Sequence, residues 1–149
     1  VICPNCHYRD DEPTHYWTKR FKKELLSLNR IGTNVKGWRG KGYRNERAYY
    51  ERRFIEWGTS VPPAHTHRQV IITRLYRQRC RPFDYDNLVG GAKALVDALK
   101  RTGLLLDDND SSVSVVYRQE PSGGPTDFVQ VQIQEYCDDR QQQDPPAES

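Results

Sequence analysis

From Val129 to Gln134 apolar and polar residues alternate without a break, Val129, Val131 and Ile133 interleaving with Gln130, Gln132 and Gln134. Successive side chains on a strand point to opposite faces, so this period of two predicts a half-buried strand. A second β-rich stretch, "SSVSVVYRQE" at 111–120, precedes it, and "PSGGPT" at 121–126 is a turn signal. Together they predict an antiparallel hairpin. "RQVIITRLYR" at 68–77 predicts a further strand, opened by the breaker "VPPAH" at 61–65. Helical spacing appears twice. Leu88, Ala92, Leu95 and Leu99 recur at intervals of four, three and four, an apolar stripe predicting one helix over 87–101. Asp86 or Asn87 suits its N-cap, Lys100 and Arg101 its last turn, and Gly103 its stop. "NERAYYERRFIEWG" at 45–58 predicts a second helix closed by Gly58.

Between these elements, "VKGWRGKGYR" at 35–44 has too many glycines for either regular structure and reads as an exposed loop shaped to meet phosphate or sugar. The polar, Pro-containing end "DDRQQQDPPAES" reads as disordered. At 149 residues the chain fits one domain with tails, and no internal repeat is visible. It contains no apolar run long enough to span a bilayer and no secretory pattern at its start, so the expectation is a cytoplasmic protein without membrane partners.

Charge changes the picture, because the net +3 is unevenly spread. Residues 19–53 hold twelve Lys or Arg against Glu24, Glu46 and Glu51, and five Arg without an acid lie between Arg68 and Arg81. Beyond Leu106 the bias reverses to ten acids against Arg118 and Arg140. Clustered cations gain affinity for phosphates by releasing counterions, which makes nucleic acid the natural partner; the bland alternative is a solvated surface. The rings threaded through this region, among them Trp17, Trp38, Tyr49 and Trp57, suit base stacking or, more commonly, core packing.

Two acidic knots flank the 87–101 helix: Asp84 and Asp86 before it, Asp107, Asp108 and Asp110 after it. If "FDYD" ends a strand, Asp84 and Asp86 share a face with Cα atoms about 6.6 Å apart. A returning helix would bring a third carboxylate, and such a cluster needs a cation to relieve its repulsion. Mg²⁺, a hard ion taking carboxylate, water and phosphate oxygens, fits that need and would serve phosphodiester hydrolysis. The plainer alternative makes Asp86 a cap and Asp107 and Asp108 turn residues. The opening "CPNCH" offers Cys3 and Cys6, with His7, Asp10 or His15, as a structural Zn²⁺ site; free cysteines are the default, Cys80 and Cys137 being remote. His65 and His67 read as loop residues.

"DYDNL", then "KALVDAL", then "GLLLDD" resembles the signature of the RusA-type Holliday junction resolvases, endodeoxyribonucleases of bacteria and phages. "SLNR" at 27–30 is similar to that family's Ser-x-Asn element, and "VSVVYRQE" with the closing Gln-rich strand sits where its last two strands fall. The likeness covers about residues 25–136, leaving 1–24 as an extension and 137–149 as a tail. It implies a small two-layer α+β domain with a mixed sheet, a homodimer, and Mg²⁺-dependent paired nicks in branched DNA, with Mn²⁺ as a substitute ion. It also implies Asp84, Asp86 and Asp108 as metal ligands, Asp107 and Asn87 as neighbours of the site, and Lys93 at the scissile phosphate.

Lys93 follows Asp86 by seven residues where the family prototype has four, so on an unbroken helix it would keep its azimuth about 10.5 Å along the axis. The competing role for Lys93 is an i to i+4 pair with Asp97. Gly90 and Gly91, inside the longer spacing, would loosen the turn or admit the DNA backbone. DNA contacts are expected from Asn29, Arg30, Arg39, Lys41, Arg44, Arg77, Arg79 and Arg81 within the basic arm and the 68–81 arginines. The opposing class is a catalytically silent DNA-binding module with the same basic face.

Overall fold

The computed structural model describes residues 13–32, 41–65, 67–106 and 113–136. The elements run β1 (Pro13–Phe21), α1 (Leu28–Gly32), α2 (Lys41–Trp57), β2 (Arg68–Tyr76), α3 (Tyr85–Gly91), α4 (Lys93–Arg101), β3 (Val113–Pro121) and β4 (Phe128–Tyr136). The four strands form one mixed sheet in the order β1-β4-β2-β3. This is a small α+β domain, the class expected. None of the helices among the described residues is long and apolar enough to cross a membrane.

Helices α2, α3 and α4 cover one face of the sheet. Val70, Ile72, Val129, Val131, Ile133 and Phe21 point into a core with Tyr50, Phe54, Trp57, Leu88, Leu95 and Leu99. The alternation seen in β4 is the inner face of that packing, and the apolar stripe of α4 is its outer layer.

Four sequence expectations are corrected. First, β3 and β4 are not a hairpin. β2 lies between them, parallel to β3 and antiparallel to β4. The cause is burial: β2 is apolar on both faces, with Ile71, Thr73 and Leu75 buried on the side away from the helices as well as Val70 and Ile72 on the core side. A strand apolar on both sides suits the interior of a sheet, which β2 shares with β4, leaving β1 and β3 at the edges. The 122–127 link therefore crosses the end of β2, anchored by Ser122 N–H to Tyr76 O (2.8 Å) and Gln78 N–H to Gly124 O (2.9 Å).

Second, the 87–101 helix is two helices broken at Ala92 (φ −87°, ψ −2°), and the cap is Asp84. Third, the sheet begins well before residue 25: β1 pairs with β4 from Pro13↔Tyr136 to Phe21↔Val129. Lys19 hides this strand in the sequence, since it occupies a core-side position between Trp17 and Phe21. Similarly, α2 starts at Lys41, so the expected 35–44 loop loses its last four residues to a helix. The rest of that stretch lies outside the described residues, as do "CPNCH" and the C-terminal tail.

Candidate active site at the carboxyl ends of the strands

β1 is antiparallel to β4, β4 to β2, and β2 is parallel to β3, so β1, β2 and β3 all run the same way. Their carboxyl ends share one rim, and the chain leaving β2 carries Asp84 and Asp86 from that rim into α3.

A buried arginine fixes this path. Arg74 is 5% exposed, and its guanidinium lies 3.5 Å from the centre of the Phe83 ring. One of its nitrogens donates both to Arg81 O and to Gln119 Oε1, each at 3.0 Å. Gln119 in turn grips both backbone groups of Phe83, accepting from its N–H (2.9 Å) and donating to its carbonyl (2.7 Å). The residue before Asp84 is thus held to β3 by a side chain that imitates a strand partner. Burial lowers the Arg74 pKa from its ordinary value.

Asp84 has extended backbone and caps α3: Oδ1 accepts from Asn87 N–H (2.9 Å) and Oδ2 from the Asn87 amide (3.0 Å). Asp86 sits in the first turn, exposed. The pair therefore does not end a strand with both carboxylates on one face, as the sequence geometry supposed. They are a cap and a first-turn residue, two positions apart at a helix start.

Gly90 and Gly91 have a local reason. A Cβ on Gly91 would lie 1.9 Å from Leu26 O, and one on Gly90 2.8 Å from the Leu28 side chain. The close approach they permit is that of the chain's own 26–28 segment, and it coincides with the break at Ala92.

Lys93 opens α4 beyond that break, exposed, with its ammonium 3.2 Å from Asp97. The Asp97 carboxylate also accepts from Tyr43, whose pKa is raised by burial and then by that bond. Asn29 and Arg30 lie on α1, which packs against α3, and Arg30 bonds Glu24 at 2.9 Å. Arg44 is exposed on α2, and Lys41 begins that helix. Arg77 is tied to Asp127 at 2.5 Å, and that carboxylate raises its pKa. Arg79 and Arg81 are exposed next to the clamp. Arg79 adopts φ +71° at the third position of a tight turn closed by Cys80 N–H to Arg77 O, a conformation that side chains other than Gly rarely accept.

Arg68 and Arg74 leave the expected basic patch. Arg68 is 1% exposed, paired with Glu135 at 3.1 Å and bonded to Leu104 O at 2.9 Å, with Trp17 beneath it. Both have the same strand parity as Val70 and Ile72, the one signal in the sequence that separates them from solvent-facing arginines. The Gln119 clamp had no signal, because it depends on β3 lying beside β2.

Asp107, Asp108, Arg39, Cys3 and Cys6 lie outside the described residues. Among the described residues no group of three or more His, Cys, Asp or Glu could hold a metal ion. Asp84 and Asp86 supply two hard oxygen donors of the type Mg²⁺ takes, with lone pairs on Asp84 left after its two capping bonds. No protein-family model matches the chain, and no curated protein matches it.

Proposed function

We propose that the chain is a metal-dependent, structure-selective DNA endonuclease acting on four-way junctions as a homodimer. The observation that carries this reading is the placement of Asp84 and Asp86 on a clamped segment beside the exposed cations Arg79 and Arg81. The likeness of "DYDNL", "KALVDAL" and "GLLLDD" to the RusA-type signature supports it independently.

In this mechanism Asp84, Asp86 and Asp108 would hold Mg²⁺, which would supply Lewis-acid polarisation of the phosphodiester and an activated water. Arg79 and Arg81 bind flanking phosphates, and the Arg74–Gln119–Phe83 clamp keeps the acidic segment in register with them. Phosphate contacts carry little sequence information, so selectivity comes from the shape of the junction. A two-fold dimer presents two equivalent centres to two equivalent strands.

The test is a synthetic four-way junction incubated with purified protein, with and without Mg²⁺, beside linear duplex. Symmetric, metal-dependent nicks confined to the junction support the reading, and Asp86→Asn then abolishes cutting while sparing binding. Asp86 is exposed and has no hydrogen-bond or ion-pair partner among the described residues, so lost cutting could not be blamed on unfolding. Tight binding without cutting under any divalent ion favours a silent DNA-binding module. That second reading draws on the capping role of Asp84 and the engagement of Lys93 with Asp97.

A further inference from the structure

At the carboxyl end of β1, away from the acidic pair, a groove of about 420 Å³ opens between the strand and the last turns of α2. Lys19, Arg20 and Lys22 line it from the strand side, Tyr49, Arg53 and Glu56 from the helix, and Thr59 and Ser60 close it. We propose that this groove is a phosphate-binding subsite for the nucleic-acid backbone, a second anchor on the substrate remote from Asp84. The proposal rests on the nuclease reading for its partner but on separate residues for its evidence.

Charge decides the sign of the ligand. Three cations, Lys19, Lys22 and Arg53, are set against one carboxylate, Glu56, which is 73% exposed and 3.8 Å from Arg53. An ion pair that exposed and that long neutralises little. Lys19 and Lys22 are exposed and have no hydrogen-bond or ion-pair partner among the described residues. Arg20 sends its guanidinium to the other face of the sheet, where Gln130 accepts from it at 2.8 and 3.3 Å and the Phe128 ring lies 5.6 Å away, so the groove is left to Lys19, Lys22 and Arg53.

The aromatic residues decide between a phosphate and a base. Tyr49 already carries the Arg53 guanidinium at 5.1 Å and the Lys23 ammonium at 5.5 Å from its ring centre, and packs edge-on with Tyr50. Trp57 is buried in the core. With the ring faces occupied, a base has no platform on which to stack. Oxygens, however, would meet cations and the Ser60 hydroxyl, that of Thr59 being donated to Glu56 O at 2.9 Å.

Continuity decides between a free anion and a polymer. Lys22 also lines a neighbouring depression of about 300 Å³ at the end of β2, together with Lys23 and with Arg77, which is paired to Asp127 and Glu24. The groove and the acidic segment therefore lie on one rim, three strand spacings or about 14 Å wide. DNA carries one charge per about 1.7 Å of axis, so a duplex laid along this rim meets it with several phosphates.

The experiment uses the isotope-labelled full chain and two titrants, a short DNA duplex and inorganic phosphate, together with the salt dependence of duplex affinity for wild type and Lys19→Gln/Lys22→Gln. Expected are shifts of the Lys22, Thr59 and Ser60 amide resonances with duplex, and at least a fivefold affinity loss in the double variant. The slope of log affinity against log salt should fall by about 1.8 for the two lost contacts. Duplex binding that leaves those resonances and the slope unchanged overturns the groove while the nuclease reading stands. Saturation by phosphate alone at the same affinity overturns the polymer assignment. A groove that engages DNA in a protein that never cuts a junction overturns the nuclease reading and upholds the groove.

Discussion

Asp84 engages both carboxylate oxygens with Asn87, so its structural and proposed chemical roles separate cleanly by substitution. Asp84→Ala removes the cap and should cost about 1 kcal/mol, whereas Asp84→Asn retains an N-cap of equal quality. Urea unfolding should therefore find Asp84→Asn near wild type, and junction cutting should find it inactive. An active Asp84→Asn would exclude this carboxylate from the metal. Arg68 is the opposite case, a cation with a structural role only. Removing it as Arg68→Met takes the buried guanidinium from Glu135 and leaves the Leu104 carbonyl without that donor, and a loss of about 3 kcal/mol is expected by the same unfolding measurement. The charge run containing it was legible in the sequence; which of its arginines face inward was not, because that requires knowing that β2 is interior.

The elements carry the site through two contacts of different kinds. At the break between α3 and α4, Gly91 lets Leu26 O approach where a Cβ would lie 1.9 Å away. Because the obstacle is backbone and not a movable side-chain end, Gly91→Ala must displace α3 or the 26–28 segment, and a loss of about 3 kcal/mol or more is expected in thermal unfolding. Gly58→Ala, with no Cβ contact shorter than 3.3 Å, is the control. At the other end of α3, Gln119 holds both backbone groups of Phe83. Gln119→Leu should speed amide hydrogen exchange of Phe83 and lower cutting before it lowers global stability, since the clamp secures a segment and not the core. Unchanged exchange at Phe83 would show the segment to be held elsewhere. The apolar stripe of the 87–101 region was readable at 3.6-residue spacing, yet the break was not: the pair of glycines signals a close approach without naming what approaches.

Across the whole molecule, the period-two and period-3.6 patterns marked the strands and the helical layer, while the strand order, with β4 and β2 both interior, had no signal beyond the two buried faces of β2. Part of the helical layer's core cost is a phenol. Tyr50 is wholly buried, its hydroxyl has no hydrogen-bond partner among the described residues, and burial, then Glu46 and Tyr49, raise its pKa well above the ordinary value. Burial likewise raises Tyr117 and Tyr43. A phenol with a raised folded pKa keeps its proton where the unfolded chain has lost it. Its contribution is full below the unfolded pKa of about 10 and is lost as pH rises from there through the folded value. All three act in one direction, so stability should hold through neutrality and fall steeply above pH 10. Tyr50→Phe should flatten part of that fall. At pH 7 it should be neutral or stabilising by up to about 1 kcal/mol, because it deletes an unpaired buried hydroxyl and keeps the ring against Phe54. Chemical denaturation at pH 7 and at pH 10.5 measures both. A variant destabilised at pH 7 with an unchanged alkaline slope would mean that the hydroxyl is hydrogen-bonded in solution, and that the alkaline limit of this fold is set by Tyr43 and Tyr117 alone.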